Sequence, residues 1–332
     1  MTDDQRQTGT PPTDEAVEDH PPRTDWRPVG VDEQSSWGAT LKRTYSEFKE
    51  DQLTDWSAAL TYYGLLSLFP ALLAVSSLVG LFADPQTITD VILEIAPESA
   101  ADTLQGPIDS ITSNQGAAGF ALVLGLAGAL WGASGYVAAF GRASNVIYET
   151  REGRPFWKLR PLQLLITLVL VVLMVVVVGA VVLTGPIVEA IAEPVGIGDT
   201  AVTAWDYGKW PVLAAMVVVI LSILYWSTPN VRQRGWRAVV PGVVVSLIIW
   251  AIASAAFAFY VANFGSYDRT YGSLGGVIVL LVWMWITNIA LLLGAQLNAE
   301  RERSKQFAEE VPGADVEIQL EPRDEPKRPQ TS

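Results

Sequence analysis

Hydroxyl, phenol, indole and amide side chains interrupt the apolar stretches of this sequence, and they are the residues best suited to bind the polar part of a ligand. One group occurs early in the chain, where Thr61, Tyr62, Tyr63 and Ser67 fall within two helical turns. The full set of candidate binding residues is Tyr62, Tyr63, Ser67, Trp131, Tyr271 and Asn288. Such side chains hydrogen-bond and offer apolar surface without carrying a charge. The chemistry they favour is recognition of a mostly apolar molecule.

Residues suited to catalysis or metal binding are scarce in comparison. The chain has no cysteine, which excludes cysteine nucleophiles, iron–sulfur clusters and disulfides, and its one histidine is His20. Hydrolysis of a phosphodiester generally uses clustered metal-binding carboxylates or a histidine acid–base pair. The basic loops contain only scattered acids such as Glu149 and Glu152. The sequence therefore favours a protein that is not an enzyme, and it implies no cofactor, no metal and no nucleic acid partner.

Six long apolar stretches must position the candidate binding residues. They cover residues 58–82, 117–140, 162–183, 210–226, 239–261 and 273–297. None contains Asp, Glu, Lys, Arg or His, and most reach the ~20 residues that span a ~30 Å hydrocarbon core as a helix. The sequence thus predicts an all-α, polytopic membrane protein with six transmembrane helices. Spans without charged groups also disfavour a proton-coupled carrier and an ion channel with a charged ring.

Basic residues are concentrated in alternate connections between these stretches. The basic connections contain Lys42, Arg43, Lys49, Arg142, Arg151, Arg154, Lys158, Arg160, Arg232, Arg234, Arg237, Arg301, Arg303 and Lys305. The opposite connections contain only Lys209 and Arg269. Basic loops stay on the cytoplasmic side of a membrane, so both termini are predicted to be cytoplasmic. We interpret Arg142, Arg151, Arg154 and Arg160 as contacts to lipid phosphates in addition to their role in topology.

An amphipathic helix is predicted directly before the first span, from Trp37 to Trp56. Its apolar residues Leu41, Tyr45 and Phe48 recur at helical spacing among charged residues. Such a helix is typical of a segment that lies in the plane of the membrane interface. Its basic residues are then expected to meet the anionic inner leaflet.

The remaining segments flank or cap the membrane domain, which is predicted to cover residues 37–305. The first outer loop, residues 83–116, predicts two short helices on the outer surface, which either cover a cavity or pack on the helix ends. The tails, residues 1–36 and 306–332, contain most of the net charge of −13 and are predicted to be disordered. They either keep the chain soluble or recruit protein partners.

Packing alone explains several of the candidate residues, so two interpretations stay open. Pro70 predicts a kink in the first span, because it cannot donate to the carbonyl of Leu66, and the nearby hydroxyls would line a cavity wall. Gly128 and Gly132 form a GxxxG pair that lets a second backbone approach, within one bundle or between two copies in a homo-oligomer. Asn288 is predicted to lie near mid-membrane, where a buried amide side chain usually bridges two helices through hydrogen bonds.

Six short motifs occur in an order that is specific when they are taken together. They are Tyr62-Tyr63 to Pro70, Trp131 with Tyr148, the Pro229 loop, Trp236 with Pro241-Gly242, Tyr271 to Gly275, and Gly294 to Ala299. From about residue 40 to residue 303, the chain resembles the YihY/BrkB family of bacterial inner-membrane proteins. Gln296 stands where that family usually has Glu, which removes the acidic candidate at the inner end of the last span. The resemblance implies a place in the bacterial cytoplasmic membrane.

The resemblance implies three hypotheses about function. The family has been labelled both as a ribonuclease acting on transfer RNA and as a virulence factor, and some members are thought to move envelope lipids. The leading hypothesis is a transporter-like protein that moves a lipid or another amphiphile for the cell envelope, with membrane lipids as partners. The second hypothesis is a non-enzymatic scaffold or envelope-assembly factor. The ribonuclease comes third, because the residues that such chemistry uses are scarce.

Overall fold

The computed structural model describes residues 35–82, 115–182, 199–264 and 274–325. The helices are α1 (Trp37–Glu50), α2 (Leu53–Phe82), α3 (Gln115–Ile147), α4 (Phe156–Val182), α5 (Asp199–Ser227), α6 (Val240–Phe264) and α7 (Leu274–Ala308). A short 3₁₀ turn, Trp236–Ala238, precedes α6. Within the described ranges the only β-pairing is an isolated bridge between Val231 and Pro322. The predicted all-α fold class is confirmed.

Among the described residues, five helices are long and apolar enough to cross a membrane. The candidate spans are Val123–Ile147, Phe156–Val181, Tyr207–Ser227, Trp236–Asn263 and Gly275–Ala308. α2 is 30 residues long, but the side chains of residues 69–82 lie outside the described set. The first predicted span, residues 58–82, therefore stays a prediction. The helix itself continues across Pro70, so this proline does not end it.

Apolar side chains cover the outside of the bundle as well as its core. Leu165, Val172 and Val175 of α4 are each more than half exposed, and only 17 % of the apolar window of this helix is buried inside the protein. A water-soluble protein rarely exposes a continuous apolar surface of this kind. A hydrocarbon environment covers it at no cost, as expected for membrane helices.

The helices pack in two close pairs, α2 with α3 and α6 with α7, and α7 also contacts α1 and α2. Gly132 makes the first pair close, because a Cβ at this position would lie 3.1 Å from the Cα of Ser67. This favours the packing interpretation of the GxxxG pair at Gly132. α4 packs on α3 and α5. Loops and charged helix ends meet at one end of the bundle, formed by residues 142–160, 228–238 and 299–325, which we call the basic end.

A helix forms where the amphipathic helix is predicted, but it ends earlier and faces differently than expected. α1 ends at Glu50, and α2 begins at Leu53 after Gln52, which has a φ of 51°. Arg43 was expected to meet lipid, yet it is buried and its Nε lies 2.8 Å from Glu300 Oε2 of α7. Arg43 is buried because Glu300 gives its guanidinium a partner inside the protein.

The apolar residues of α1 do not all lie on the same side of the protein surface. Leu41 and Tyr45 are each more than half exposed, whereas Phe48, near the end of the helix, is buried in the core. The polar residues Thr40 and Thr44 are also buried. α1 thus attaches through polar residues and Phe48 and leaves Leu41 and Tyr45 open, which suits a helix in the membrane interface.

The segment after α7 packs against the bundle as far as residue 325, although the sequence predicts a disordered tail from residue 306. α7 continues to Ala308, and Ile318 is buried. The N–H of Ile318 donates to Glu149 Oε2 at 2.9 Å, and the N–H of Arg232 donates to the carbonyl of Glu321 at 2.8 Å. The few apolar residues of this segment and its backbone groups thus find partners at the basic end. Residues 83–114, on which the predicted outer helices fall, lie outside the described residues.

Candidate functional site

The structure does not gather all the predicted binding residues into one pocket. Tyr62 and Trp131 are exposed by 58 % and 65 %, whereas Tyr63 and Ser67 are half-buried. The Ser67 hydroxyl donates to the carbonyl of Gly64 at 2.7 Å, which satisfies it within its own helix. Tyr271 lies outside the described residues.

Asn288 joins three helices. Its Nδ2 donates to Thr61 Oγ1 of α2 at 3.1 Å, and its Oδ1 accepts from the hydroxyl of Tyr136 of α3 at 2.8 Å. The side chain is buried, with 3 % of its surface exposed. These bonds use both ends of the amide, so the described contacts favour the bridging interpretation over direct ligand binding.

A cavity of about 170 Å³ lies at the basic end between α3, α4 and the end of α5. Its apolar wall is formed by Val137, Ala138, Leu159, Leu162 and Ile166. Its polar wall is formed by Arg142, Glu152, Arg154, Gln163, Ser227 and Thr228. One wall therefore suits hydrocarbon and the other suits a polar or charged group.

Arg154 is the most firmly held residue of the polar wall. Its Nε donates to Glu152 Oε1, and its Nη2 donates both to Glu152 Oε2 and to the carbonyl of Thr228, all at 2.7 Å. Asn145 supports the same carboxylate, because its Nδ2 donates to Glu152 Oε2 at 3.1 Å. The Nη1 of Arg154 is buried and has no hydrogen-bond partner among the described residues. This nitrogen retains the capacity to donate to an anion.

Two of the predicted aromatic residues lie near cationic groups of the basic end. The guanidinium of Arg142 lies 5.9 Å from the ring centre of Tyr63, and Tyr63 meets Tyr62 edge to face. The guanidinium of Arg160 lies 4.3 Å from the ring centre of Trp131. Of these residues, Arg142 alone lines the cavity. The structure thus links Tyr63 to the cavity through Arg142.

The four arginines predicted to contact lipid phosphates have different surroundings. Arg142 and Arg151 are exposed, and the Arg151 carbonyl accepts from Asn230 Nδ2 at 2.9 Å. Arg160 is half-buried against its aromatic neighbour, whereas Arg154 is buried at the cavity. The lipid contact stays a prediction for all four residues, of which Arg142 and Arg154 line the cavity.

A buried ion network at the basic end was missed by the sequence analysis. Arg303 Nη2 lies 2.7 Å from Glu149 Oε2, and Arg303 Nη1 lies 3.4 Å from Glu47 Oε1 and 3.6 Å from Glu300 Oε1. Only 2 % of the Arg303 side chain is exposed. The spacings Arg43/Glu47 and Glu300/Arg303 place opposite charges on one helix face, which is the signal that was available.

Acid is expected to weaken the basic end through Glu152. Burial opposes ionisation of this carboxyl, but hydrogen bonds from Arg154 outweigh it and hold the pKa of Glu152 below its ordinary value of 4.5. A lowered native pKa means that the ionised carboxylate stabilises the fold above pH 4.5, and that this contribution is lost as the pH falls below that value. Melting temperatures of the detergent-solubilised protein between pH 6 and pH 3 should therefore decrease more steeply for the wild type than for Glu152→Gln. Parallel curves for the two proteins would show that the ionised pair contributes no stability.

Comparisons with known proteins agree with the membrane fold and supply a family. The family model "Virulence factor BrkB" matches residues 44–318. The chain is 32 % identical over 273 residues to the "Putative ribonuclease-like protein YfkH" of Bacillus subtilis (strain 168), which covers 82 % of this chain and 98 % of that protein. It is 27 % identical over 273 residues to a "UPF0761 membrane protein" of Aeromonas salmonicida (strain A449), covering 80 % of this chain and 90 % of the relative. No solved structure is significantly similar to it. The chain is therefore a membrane protein that belongs to the BrkB family.

Proposed function

We propose that this protein binds lipids or related amphiphiles and moves them across the bacterial cytoplasmic membrane. The observation that carries this proposal is the cavity of about 170 Å³ at the basic end, whose lining combines an apolar wall with a polar wall that contains two arginines. Ligand sites generally combine a mostly apolar lining with a few placed polar groups. A molecule that is apolar at one end and polar at the other matches both walls.

The membrane arrangement of the proposal follows from charge and exposure. α2 serves as the first of six spans and completes the five that are described above. The basic end lies on the cytoplasmic side because basic loops are retained there. α1 lies in the membrane interface, where exposed Trp37, Leu41 and Tyr45 reach the acyl boundary. The cavity then lies at the depth of the inner leaflet headgroups.

α4 supplies a route between the bilayer and the cavity. Leu162 and Ile166 line the cavity, while Leu165 and Leu168 on the adjoining face are 58 % and 47 % exposed. The same helix therefore contacts the ligand site on one side and hydrocarbon on the other. An acyl chain can remain in the bilayer along α4 while the polar part of the molecule enters the cavity.

Lipid movement in reconstituted vesicles tests the proposal. The full-length protein would be incorporated into liposomes that contain a trace of fluorescent phospholipid, and a membrane-impermeant reductant would quench the label in the outer leaflet. We expect quenching well beyond half of the label in liposomes that contain protein and only half in protein-free liposomes. Equal quenching in both preparations, with folded protein in the first, would contradict a role in moving phospholipids.

A further inference from the structure

We propose that the cavity at the basic end is a binding site for the phosphate of an anionic lipid headgroup, held between Arg142 and Arg154. The proposed function requires an amphiphile and leaves the chemistry of its polar part open. The cavity lining supplies that chemistry, because it contains two arginines, one from α3 and one from the loop before α4. Arginine is the side chain best matched to phosphate oxygens, through its planar set of N–H donors.

Arg154 is prepared for this role by its other contacts. Glu152 and the carbonyl of Thr228 hold Nε and Nη2, so the guanidinium is fixed before any ligand arrives. Its Nη1 has no acceptor in the described part of the chain, although it is buried. A buried charged donor without an acceptor costs free energy, and an anion that reached this nitrogen from the cavity would remove that cost. Arg142 is exposed and lines the same cavity, so it can approach a bound anion as well.

The balance of charge around the cavity favours an anion. Of the charged residues that line it, Arg142 and Arg154 are cationic and Glu152 is anionic. The Glu152 carboxylate already accepts hydrogen bonds from Arg154 and Asn145, which leaves a surplus of one positive charge. Burial and the nearby charge of Arg154 lower the pKa of Arg323. Arg323 therefore lies near Arg154, and its own guanidinium adds to the positive charge at this end of the protein.

The apolar wall and the size of the cavity indicate that the phosphate belongs to a lipid. A cavity of about 170 Å³ is far larger than the ~10–15 Å³ that admits one water molecule. A free phosphate needs no apolar wall, whereas Val137, Leu162 and Ile166 offer one to the glycerol and the first methylene groups. We therefore assign the site to the headgroup of an anionic phospholipid. Inorganic phosphate could bind the same arginines, so the experiment tests inorganic phosphate separately from the lipid.

Native mass spectrometry in mild detergent tests the site through binding alone. The full-length protein would be presented with phosphatidylglycerol and with diacylglycerol, which lacks the phosphate, and in a separate arm with inorganic phosphate. The variants are Arg142→Gln, at an exposed position that leaves the fold intact, and Arg154→Lys, which keeps the charge beside Glu152. Arg232→Gln is the matched control, because Arg232 lies at the basic end with 64 % of its side chain exposed and does not line the cavity.

We expect phosphatidylglycerol to be retained about tenfold more weakly by Arg142→Gln and Arg154→Lys than by the wild type and by Arg232→Gln. Retention of diacylglycerol should be equal in all four proteins. Arginine-dependent binding of inorganic phosphate, with no preference for phosphatidylglycerol over diacylglycerol, would overturn the lipid assignment. Equal binding of phosphatidylglycerol by all four proteins would overturn the site itself.

This inference rests on the proposed function, because that function supplies the amphiphilic ligand. The binding site and the transport role would be contradicted by different experiments. Arginine-dependent lipid binding without lipid movement in vesicles would support the site and contradict the transport role. Lipid movement with arginine-independent binding would support transport and overturn the anionic headgroup site.

Discussion

Replacement of Gly294 by alanine is expected to destabilise the protein by about 3 kcal/mol, because it forces α6 and α7 apart. A Cβ at this position would overlap the Ser246 hydroxyl and the carbonyl oxygen of Gly242. The overlap with Gly242 involves backbone, so no change of side-chain rotamer relieves it. The same contact region contains the hydrogen bond from the N–H of Gly242 to Asn298 Oδ1 at 2.9 Å. Separation of the helices would break this bond as well.

Thermal unfolding of the purified protein in detergent measures the effect of Gly294→Ala. The matched control is Gly179→Ala in α4, where a Cβ would meet no atom within 4 Å. Alanine is favoured over glycine inside a helix by about 1 kcal/mol, so this control should melt at the wild-type temperature or slightly above it. If Gly294→Ala melted with the control, the close approach of α6 to α7 would be disproved.

Replacement of Arg303 by methionine is expected to destabilise the protein by about 3–5 kcal/mol, the usual cost of removing one partner from a buried ion network. Arg303 is the common partner of Glu47, Glu149 and Glu300, which belong to three different segments of the chain. Without it, Arg43 remains the partner of Glu300 at 2.8 Å, and the other two carboxylates lose their contact with this guanidinium. The basic end would lose the charge that joins α1, the loop after α3 and α7.

A nearby charge shows whether the effect depends on burial. The Lys305 side chain is 42 % exposed, and its Nζ lies 3.3 Å from Glu302, a buried carboxylate that also pairs with Arg234 at 2.7 Å. Lys305→Met should cost less than about 1 kcal/mol, because Lys305 itself is solvated and Glu302 keeps Arg234 as a partner. Similar melting temperatures for Arg303→Met and Lys305→Met would show that the Arg303 network contributes no more than a surface ion pair.

The membrane helices could be predicted from sequence because they depend on local properties, namely length and the absence of charge. α4 illustrates this, since its apolar stretch and its helix nearly coincide. α7 shows the limit of the method. Its apolar stretch ends at residue 297, but the helix continues to Ala308. Glu300 and Arg303 in this extension are paired inside the protein, and hydropathy does not reveal such pairing.

The orientation of α1 could not be predicted, because it depends on a partner far away in sequence. The spacing of Leu41, Tyr45 and Phe48 predicts one apolar face, but Phe48 is buried in the core while Leu41 and Tyr45 are exposed. The spacing did not show that polar residues of α1 would be buried, since Arg43 finds its partner in Glu300, about 250 residues further along the chain. The packing of residues 309–325 was missed for the same reason, because their backbone groups form hydrogen bonds with loops that are distant in sequence.

The candidate site was only partly predictable, because polar residues inside the spans were given the most weight. Asn288 and Ser67 are such residues, and the structure uses both in hydrogen bonds to the protein. Arg142 and Arg154 were named as lipid contacts on charge alone. Their convergence on one cavity depends on α3, α4 and the Thr228 carbonyl coming together, which no local pattern indicates.

The rate of lipid movement with the cavity filled is the measurement that tests the account most directly. Ala138 lines the cavity and is buried, so Ala138→Phe would occupy space that a lipid headgroup needs. Val123 lies on the same helix with 64 % exposure, and Val123→Phe is the control for a bulky ring that faces lipid. In vesicles containing equal amounts of folded protein, we predict that Ala138→Phe moves phospholipid at least about tenfold more slowly than the wild type, a rise of 1.4 kcal/mol in the barrier. Val123→Phe should match the wild type. Equal rates for all three proteins would contradict the account, because lipid would then cross without using the cavity.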